Sequence, residues 1–257
     1  MNKQPIGIFD SGIGGLSILE EINRILPNEN IIYLADNKNC PYGNKDSSDI
    51  VKLSLKNTSL LIQMNCKIIV IACNTATTNA INEIRNSFSI PVIGIEPAIK
   101  PAIINTKTNK IGVLATEKTL TSSLFNKTSN KFSKKVEIYE QIGYGLVDLI
   151  EKGKIKETRD LLKSHIEPML KSNIDQLVLG CTHYHFLIPI IKKIIPKTIN
   201  IQDPNEAIAR QTKKILTINN IQNSLENKYK NVIYVNGKTE IIKNMIKLNG
   251  EVNSLDF

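Results

Sequence analysis

The chain has 257 residues, enough to bury one large core or two small ones. At 41% hydrophobic and 22% charged residues it has the balance of a soluble globular protein. The net charge of +9 raises the question of nucleic acid, but the lysines are scattered, with no basic tail and no aromatic-interleaved basic patch, so no such partner is expected.

The opening "MNKQPIGIFDSG" lacks the apolar core of a signal peptide, and the apolar run "FLIPIIKKII" is broken by Pro189, Lys192 and Lys193. A cytoplasmic protein with no membrane partner is expected, its four cysteines kept as thiols. In chain order, short runs rich in β-branched residues predict strands over 6–9, 31–35, 68–72, 92–95, 111–115, 136–139, 177–180, 198–201 and 232–235. These runs are apolar at successive positions, as in parallel strands covered by helices on both faces. Helical spacing fills the gaps, as in Ile18, Ile22, Ile25 and Leu26, and again in Leu161, Leu162, Ile166 and Met169. Residues 104–110, "INTKTNK", read as the most linker-like stretch.

A faint repeat runs through this α/β pattern. "IGIFDSG" from Ile6 is echoed by "IGVLATE" from Ile111, and "KIIVIACNT" by "DQLVLGCTH", with nearly equal spacing inside each pair. Two related α/β halves follow. Ligands of open α/β sheets bind at the carboxyl ends of the strands, so facing halves would bring Cys73 and Cys181 into one cleft from opposite sides.

Two facing thiols suit proton transfer at a stereocentre, one as base and the other as acid on the opposite face. An ordinary cysteine titrates at about 8.5, so the site must tune it. Both cysteines stand just before a predicted helix, whose N-terminus favours an anion. Asn74, Thr75 and Thr182 can donate to a thiolate or a carboxylate. Most free cysteines are simply small buried apolar residues, and Cys66 fits that description; Cys40, in "NKNCPYGN", stays open because its loop could reach the cleft. "CTHYH" offers Cys181, His183 and His185 to a metal, but no second ligand cluster accompanies it, and no metal is expected. Gly12, Gly14 and Gly15 in "FDSGIGGLS" permit a tight turn and close approach to a bound anion, without making a nucleotide motif. Asp10 either caps a helix, sharing that task with Ser11, or orients a substrate ammonium and tunes a thiol.

"FDSGIGGLS", "PYG", "ACNTAT", "PAIKPA", "LIEKG" and "GCTHY", in this order along the whole chain, resemble the cofactor-independent glutamate racemases of the two-cysteine aspartate/glutamate racemase superfamily. The resemblance implies two flavodoxin-like doubly wound domains related by a pseudo-two-fold axis, with a cleft between them. It implies residues 1–97 plus 208–257 as the first domain and 98–207 as the inserted second, the chain returning near 203–210. It further implies that Cys73 removes the α-proton of D-glutamate and Cys181 that of L-glutamate, assisted by Asp10, Glu151 and His183. Substrate contacts are implied for Asp10, Ser11, Pro41, Tyr42, Gly43, Cys73, Asn74, Thr75, Thr116, Cys181, Thr182 and His183. No pyridoxal or other cofactor is expected, and a homodimer supplying D-glutamate to peptidoglycan is. Two departures stand out. The family often has Pro where His185 stands, which is expected to alter only a helix start. A Cys-Pro pair is common where Gly143 and Tyr144 stand, close upstream of Glu151. Related aspartate racemases typically carry Glu after Cys-Thr, so Cys-Thr-His favours glutamate. His165 falls on the apolar face of a helix and reads as structural. Competing readings are a superfamily member acting on aspartate, hydantoins or maleate, a Cys–His hydrolase, and a small-anion binding module.

Overall fold

The structure is a computed structural model that describes residues 3–131, 135–223, 230–245 and 250–257. Its first strand, β1 (Ile6–Asp10), is buried along its whole length, and the two strands flanking it run parallel to it. The chain continues through α1 (Leu16–Ile25), β2 (Ile31–Ala35), α2 (Ser47–Gln63), β3 (Ile68–Ile71), α3 (Asn74–Ser87) and β4 (Val92–Gly94). A second series follows: α4 (Ile99–Asn105), β5 (Lys110–Ala115), α5 (Glu117–Leu120), α6 (Ser123–Asn130), β6 (Glu137–Ile142), α7 (Leu146–Glu151), α8 (Thr158–Lys171), β7 (Gln176–Gly180), α9 (Ile188–Ile194) and β8 (Asn200–Gln202). Then come α10 (Asn205–Ile218), β9 (Asn231–Val235), α11 (Glu240–Met245) and β10 (Gly250–Ser254).

Among the described residues ten parallel strands make two sheets, ordered β10-β9-β2-β1-β3-β4 and β6-β5-β7-β8. Each contains the same run: the second strand of its series beside the first, then the third and fourth on the other side. The repeat in the sequence is this shared topology. β1 corresponds to β5 and β3 to β7, so the echoed segments are the central strands of the two sheets. Strand order reverses beside β1 and beside β5, which puts the crevice of each sheet at the ends of the strands leading to Cys73 and Cys181.

Amphipathic helices cover the sheets. On α1, Leu16, Ile18, Leu19 and Ile22 are buried, with α10 packed alongside, while α2 and α3 pack together on the other face. One apolar cluster passes from Ile13 and Leu16 of the first half to Ile150, Tyr184 and Leu187 of the second, so the two halves share core. α4 packs on β5 and β7, whereas α10 packs on α1 and β4, and β9 joins β2. Among the described residues no helix is long and apolar enough to cross a membrane.

Every predicted strand is present, with ends shifted by up to three residues. Three expectations change. Residues 104–110 are not linker-like; they finish α4 and turn into β5, tied down by Asp175, which accepts from Thr106 Oγ1, Lys107 N and Thr108 N. β10 was not expected, because "GEVNS" is an edge strand with largely exposed residues and carries no apolar alternation. The segment after Cys181 is a 3-10 turn, Thr182–Leu187, and α9 begins only at Ile188. His185 therefore lies inside that turn rather than at a helix start.

Candidate active site

Cys73 follows β3 and caps α3: the Ala76 N–H donates to its sulfur (3.4 Å), and its thiol reaches Ser11 Oγ (3.7 Å). The residue is 5% exposed. Cys181 follows β7 and is 8% exposed. Its sulfur faces His183 Nδ1 at 3.7 Å, and His183 Nε2 lies 2.5 Å from Glu151 Oε1. The carboxylate also accepts from the Ile13 N–H (2.8 Å) and from Asn37 Nδ2 (2.7 Å), both belonging to the first half. A polar chain thus runs from Cys181 through His183 and Glu151 into the turn after β1. Glu151 gets there because Gly145, with φ of +75°, starts the short helix α7 in the left-handed region that favours glycine.

Asp10 ends β1 and is fully buried. Its Oδ2 accepts from Gly15 N (3.1 Å) and Gly12 N (3.4 Å), and Thr182 Oγ1 donates to its Oδ1 (3.4 Å). Asp10 is not the N-cap of α1. It holds the glycine turn by its backbone, although α1 itself is capped by Gly15, and it meets the segment carrying Cys181. Its partner Ser11 faces Cys73 instead.

The glycines of that turn also serve the contact between the halves. Neither Gly12 nor Gly14 lies in the left-handed region. What each leaves open is space for the second half: a Cβ on Gly12 would strike the Glu151 carboxylate, and one on Gly14 would fall 2.6 Å from both His183 Nδ1 and Thr182 Oγ1. A Cβ on Gly43 would likewise sit 2.8 Å from Thr116 Cβ. Only absent side chains let the halves come this close.

A hydroxyl cluster also joins the halves, with Thr75 Oγ1 2.8 Å from Thr116 Oγ1 and Thr119 Oγ1 a further 2.9 Å on. Pro41, Tyr42 and Gly43 form the facing loop. The Tyr42 hydroxyl is already committed, donating to Asp36 Oδ2 (2.5 Å) and accepting from Asn57 (3.1 Å). Asn74, at the start of α3 beside Cys73, differs from its neighbours. It is 2% exposed, yet neither its Nδ2 nor its Oδ1 has a hydrogen-bond partner among the described residues. A buried amide unpaired at both ends is costly unless a ligand completes it.

Electrostatics separates these groups. Burial pushes the Cys73 thiol up, with Asp10 adding to it, and this outweighs the Ala76 N–H and the Ser11 hydroxyl. The helix N-terminus does lower Cys73, through the Ala76 N–H, but desolvation is the larger effect. Charge on Cys181 also acts, weakly, to raise Cys73. Burial disfavours charge on His183, but hydrogen bonds to Cys181, Cys40 and Glu151 together outweigh it and hold the imidazolium well above its ordinary range. Burial would raise Glu151, yet His183 and the Ile13 N–H bring it below the usual carboxylate range. Asp10 is raised, chiefly by burial.

The metal candidates of "CTHYH" part company, since His185 Nδ1 turns to Asp203 Oδ2 (2.6 Å) and away from Cys181 and His183. Cys40 does reach the site, beside Glu151 and His183, and burial lifts its thiol to about 12. His165 Nε2 meets the Tyr144 carbonyl (3.0 Å), a structural contact. Asn37, Tyr33 (hydroxyl to Gly12 O, 2.7 Å) and Thr119 support the site without having been foreseen. Tyr33 and Thr119 look like ordinary strand and helix positions, and only Asn37, three residues before Cys40, stood inside a quoted stretch, as the first residue of "NKNCPYGN".

Comparison with known proteins bears on this arrangement. The family model described as Asp/Glu/hydantoin racemase matches residues 6–212. A glutamate racemase of Herpetosiphon aurantiacus is 44% identical over 87% of this chain and 89% of its own length. Among solved structures, a Bacillus anthracis glutamate racemase isoform superposes with a TM-score of 0.89 at 30% identity, covering 100% of this chain and 98% of that one. The Francisella tularensis glutamate racemase, solved in complex with D-glutamate, gives 0.86 at 28% identity, covering 99% and 98%.

Proposed function

The chain belongs to the Asp/Glu/hydantoin racemase family, and from that premise we propose that it interconverts L- and D-glutamate by proton transfer between its two cysteines. The observation that carries the proposal is the position of Cys73 and Cys181. They close equivalent strands of two sheets of shared topology, both are buried, and the Asn74 amide that follows Cys73 has no partner among the described residues.

On this reading glutamate lies between the sulfurs. The Asn74 amide, the hydroxyls of Ser11, Thr75, Thr116 and Thr182, and the first N–H groups of α3 bind its carboxylates and ammonium, with the 41–43 loop closing over them. Cys181 as thiolate takes the α-proton of L-glutamate while the Cys73 thiol gives its proton to the opposite face; D-glutamate runs the same path backwards. The α-hydrogen of an amino acid is a very weak acid. The desolvation that raises Cys73 therefore has a use, since a thiolate formed there is a stronger base than an exposed one. His183, held as imidazolium by Glu151, points an N–H at the Cys181 sulfur, the donor a thiolate needs when it forms. Asp10 holds the turn that carries Ser11 and reaches Thr182.

The same reading makes the protein a cytoplasmic homodimer that supplies D-glutamate for peptidoglycan and needs neither pyridoxal nor metal. It divides the chain into one domain of residues 1–97 and 208–257 and a second of 98–207; the packing of α4 on β5 and of α10 on α1 supports that division.

Polarimetry with L-glutamate, L-aspartate and hydantoins in D2O, without cofactor, tests substrate and mechanism together. Racemisation of glutamate with α-deuterium incorporation is expected, and Cys73→Ser and Cys181→Ser should each lower turnover by about 10²–10⁴-fold. If aspartate exchanges and glutamate does not, the substrate is wrong. Near-normal turnover by either single variant rules out two-base catalysis.

A further inference from the structure

We propose that Cys40, Glu151 and His183 form an inhibitory site for a borderline-soft divalent cation, zinc foremost. Their ligand atoms (Cys40 Sγ, a Glu151 carboxylate oxygen and an imidazole nitrogen of His183) all lie within 4.8 Å of one another, and among the described residues this is where such groups converge. Thiolate, imidazole and carboxylate are the ligand types zinc accepts together, and three of them leave a fourth position open. A second, separate feature points the same way. Asn37 donates through Nδ2 to Glu151, but its Oδ1 is buried with no partner among the described residues. Asn37, Cys40 and Glu151 all line a cavity of about 470 Å³ at the junction of the two halves, so a cation has a route in from solvent. Lys38, Lys152 and Lys238 line it and oppose entry, although Lys38 is occupied by Asp256 at 2.6 Å and Asp148 also lines the cavity.

Zinc holds nitrogen and oxygen ligands at about 2.0–2.2 Å, which sets them roughly 3.4 Å apart in a tetrahedron. Entry must therefore open the His183–Glu151 contact from 2.5 Å by about an ångström. The Cys40 thiol proton and the His183 ring proton leave for solvent as the metal binds. Inhibition follows from the racemase reading above, on which this part rests. With the ring and Glu151 taken by the metal, His183 can no longer act as the imidazolium that faces Cys181. Cys40 lies beside His183 and Glu151 and is one of the groups that favour the imidazolium, so its removal is read first against metal binding and only then against activity.

The test uses the full chain, stripped with a chelator and titrated with Co²⁺ and then Zn²⁺ without substrate. Expected are one Co²⁺ per chain, a thiolate-to-cobalt charge-transfer band, and displacement of that band by Zn²⁺. Cys73→Ser and Cys181→Ser should keep the band. Cys40→Ser should lose it, weaken Zn²⁺ binding by about tenfold or more, and keep a larger share of its own metal-free activity in Zn²⁺, whereas in the natural chain the Zn²⁺ inhibition is reversed by EDTA. X-ray absorption of the zinc-loaded natural chain reads the ligands without any variant, and should give one sulfur at about 2.3 Å among lighter ligands. The proposal fails if no band forms, if the band survives in Cys40→Ser, if it vanishes with Cys73→Ser or Cys181→Ser, or if the zinc has no sulfur or two. Because the band is read without turnover, a wrong substrate assignment would leave it standing.

Discussion

Gly14→Ala isolates the contact on which the site's assembly depends. Gly14 does not need a glycine backbone, since the positive-φ glycines are Gly145 and Gly153, so an alanine there suffers only from what its methyl meets. That methyl would lie 2.6 Å from His183 Nδ1 and Thr182 Oγ1. Reaching 3.4 Å, where ordinary contact begins, means a displacement of about 0.8 Å. His183 has little freedom to give way, being 2% exposed and fixed 2.5 Å from Glu151. Overpacking a buried contact costs about 1–3 kcal/mol in stability. A misplacement of about 1 Å in a catalytic array costs about 10² in rate, equivalent to roughly 2.7 kcal/mol of transition-state stabilisation. The variant should therefore lose about 10²-fold in kcat with a smaller change in KM, measured by polarimetry where urea unfolding shows it fully folded. Gly153→Ala is the control: its φ of +71° with no atom within 4 Å should cost about 1 kcal/mol of stability and leave kcat unchanged. A Gly14→Ala enzyme within about threefold of the natural kcat would refute the claim that this glycine exists to admit His183.

Asn74→Ala removes an amide that has no partner in the free site, so unfolding experiments should show stability unchanged or slightly higher. Its hydrogen bonds to a charged ligand, about 1.5–3 kcal/mol, should appear as a KM raised roughly 10- to 150-fold; an unchanged KM would remove Asn74 from the binding site. Since burial raises Cys73, its base form appears only as pH rises, and kcat/KM should climb from acid through neutral pH. L- and D-glutamate have equal free energies, so kcat/KM must be the same in both directions at every pH, and Glu151→Gln should lower both equally; a flat profile between acid and neutral pH would count against a thiolate base. Lys67 and Glu29 are buried together 2.6 Å apart, with Asn223 completing the pair. Lys67→Ala strands the carboxylate and should cost about 3–5 kcal/mol in urea unfolding without affecting KM, whereas a loss under 1 kcal/mol would mean that water reaches Glu29.

The sequence was most legible where local pattern and long-range order coincide. Ile6, Ile68, Ile111 and Leu177 open runs that are apolar at every position, because helices cover both faces of their strands, and the echo between the runs carries the shared strand order. β10 escaped because an edge strand has no buried face to imprint a pattern on "GEVNS". At the site, Cys73 and Cys181 were visible as two members of one repeat. Gly12, Gly14 and Gly43 were visible as residues but not as causes. A glycine written in a turn suggests a backbone requirement, whereas these three answer to Glu151, His183 and Thr116, which lie more than seventy positions away along the chain. Which side chains meet across two halves depends on their rigid placement, and periodicity inside either half is silent about that. The same reasoning explains Cys40. Within its own loop it is one thiol beside a proline, and it acquires neighbours able to hold a metal only when α7 and the turn after Cys181 are laid against it. Chemistry that belongs to one half could be read along the chain; chemistry made by the contact of the two halves could not.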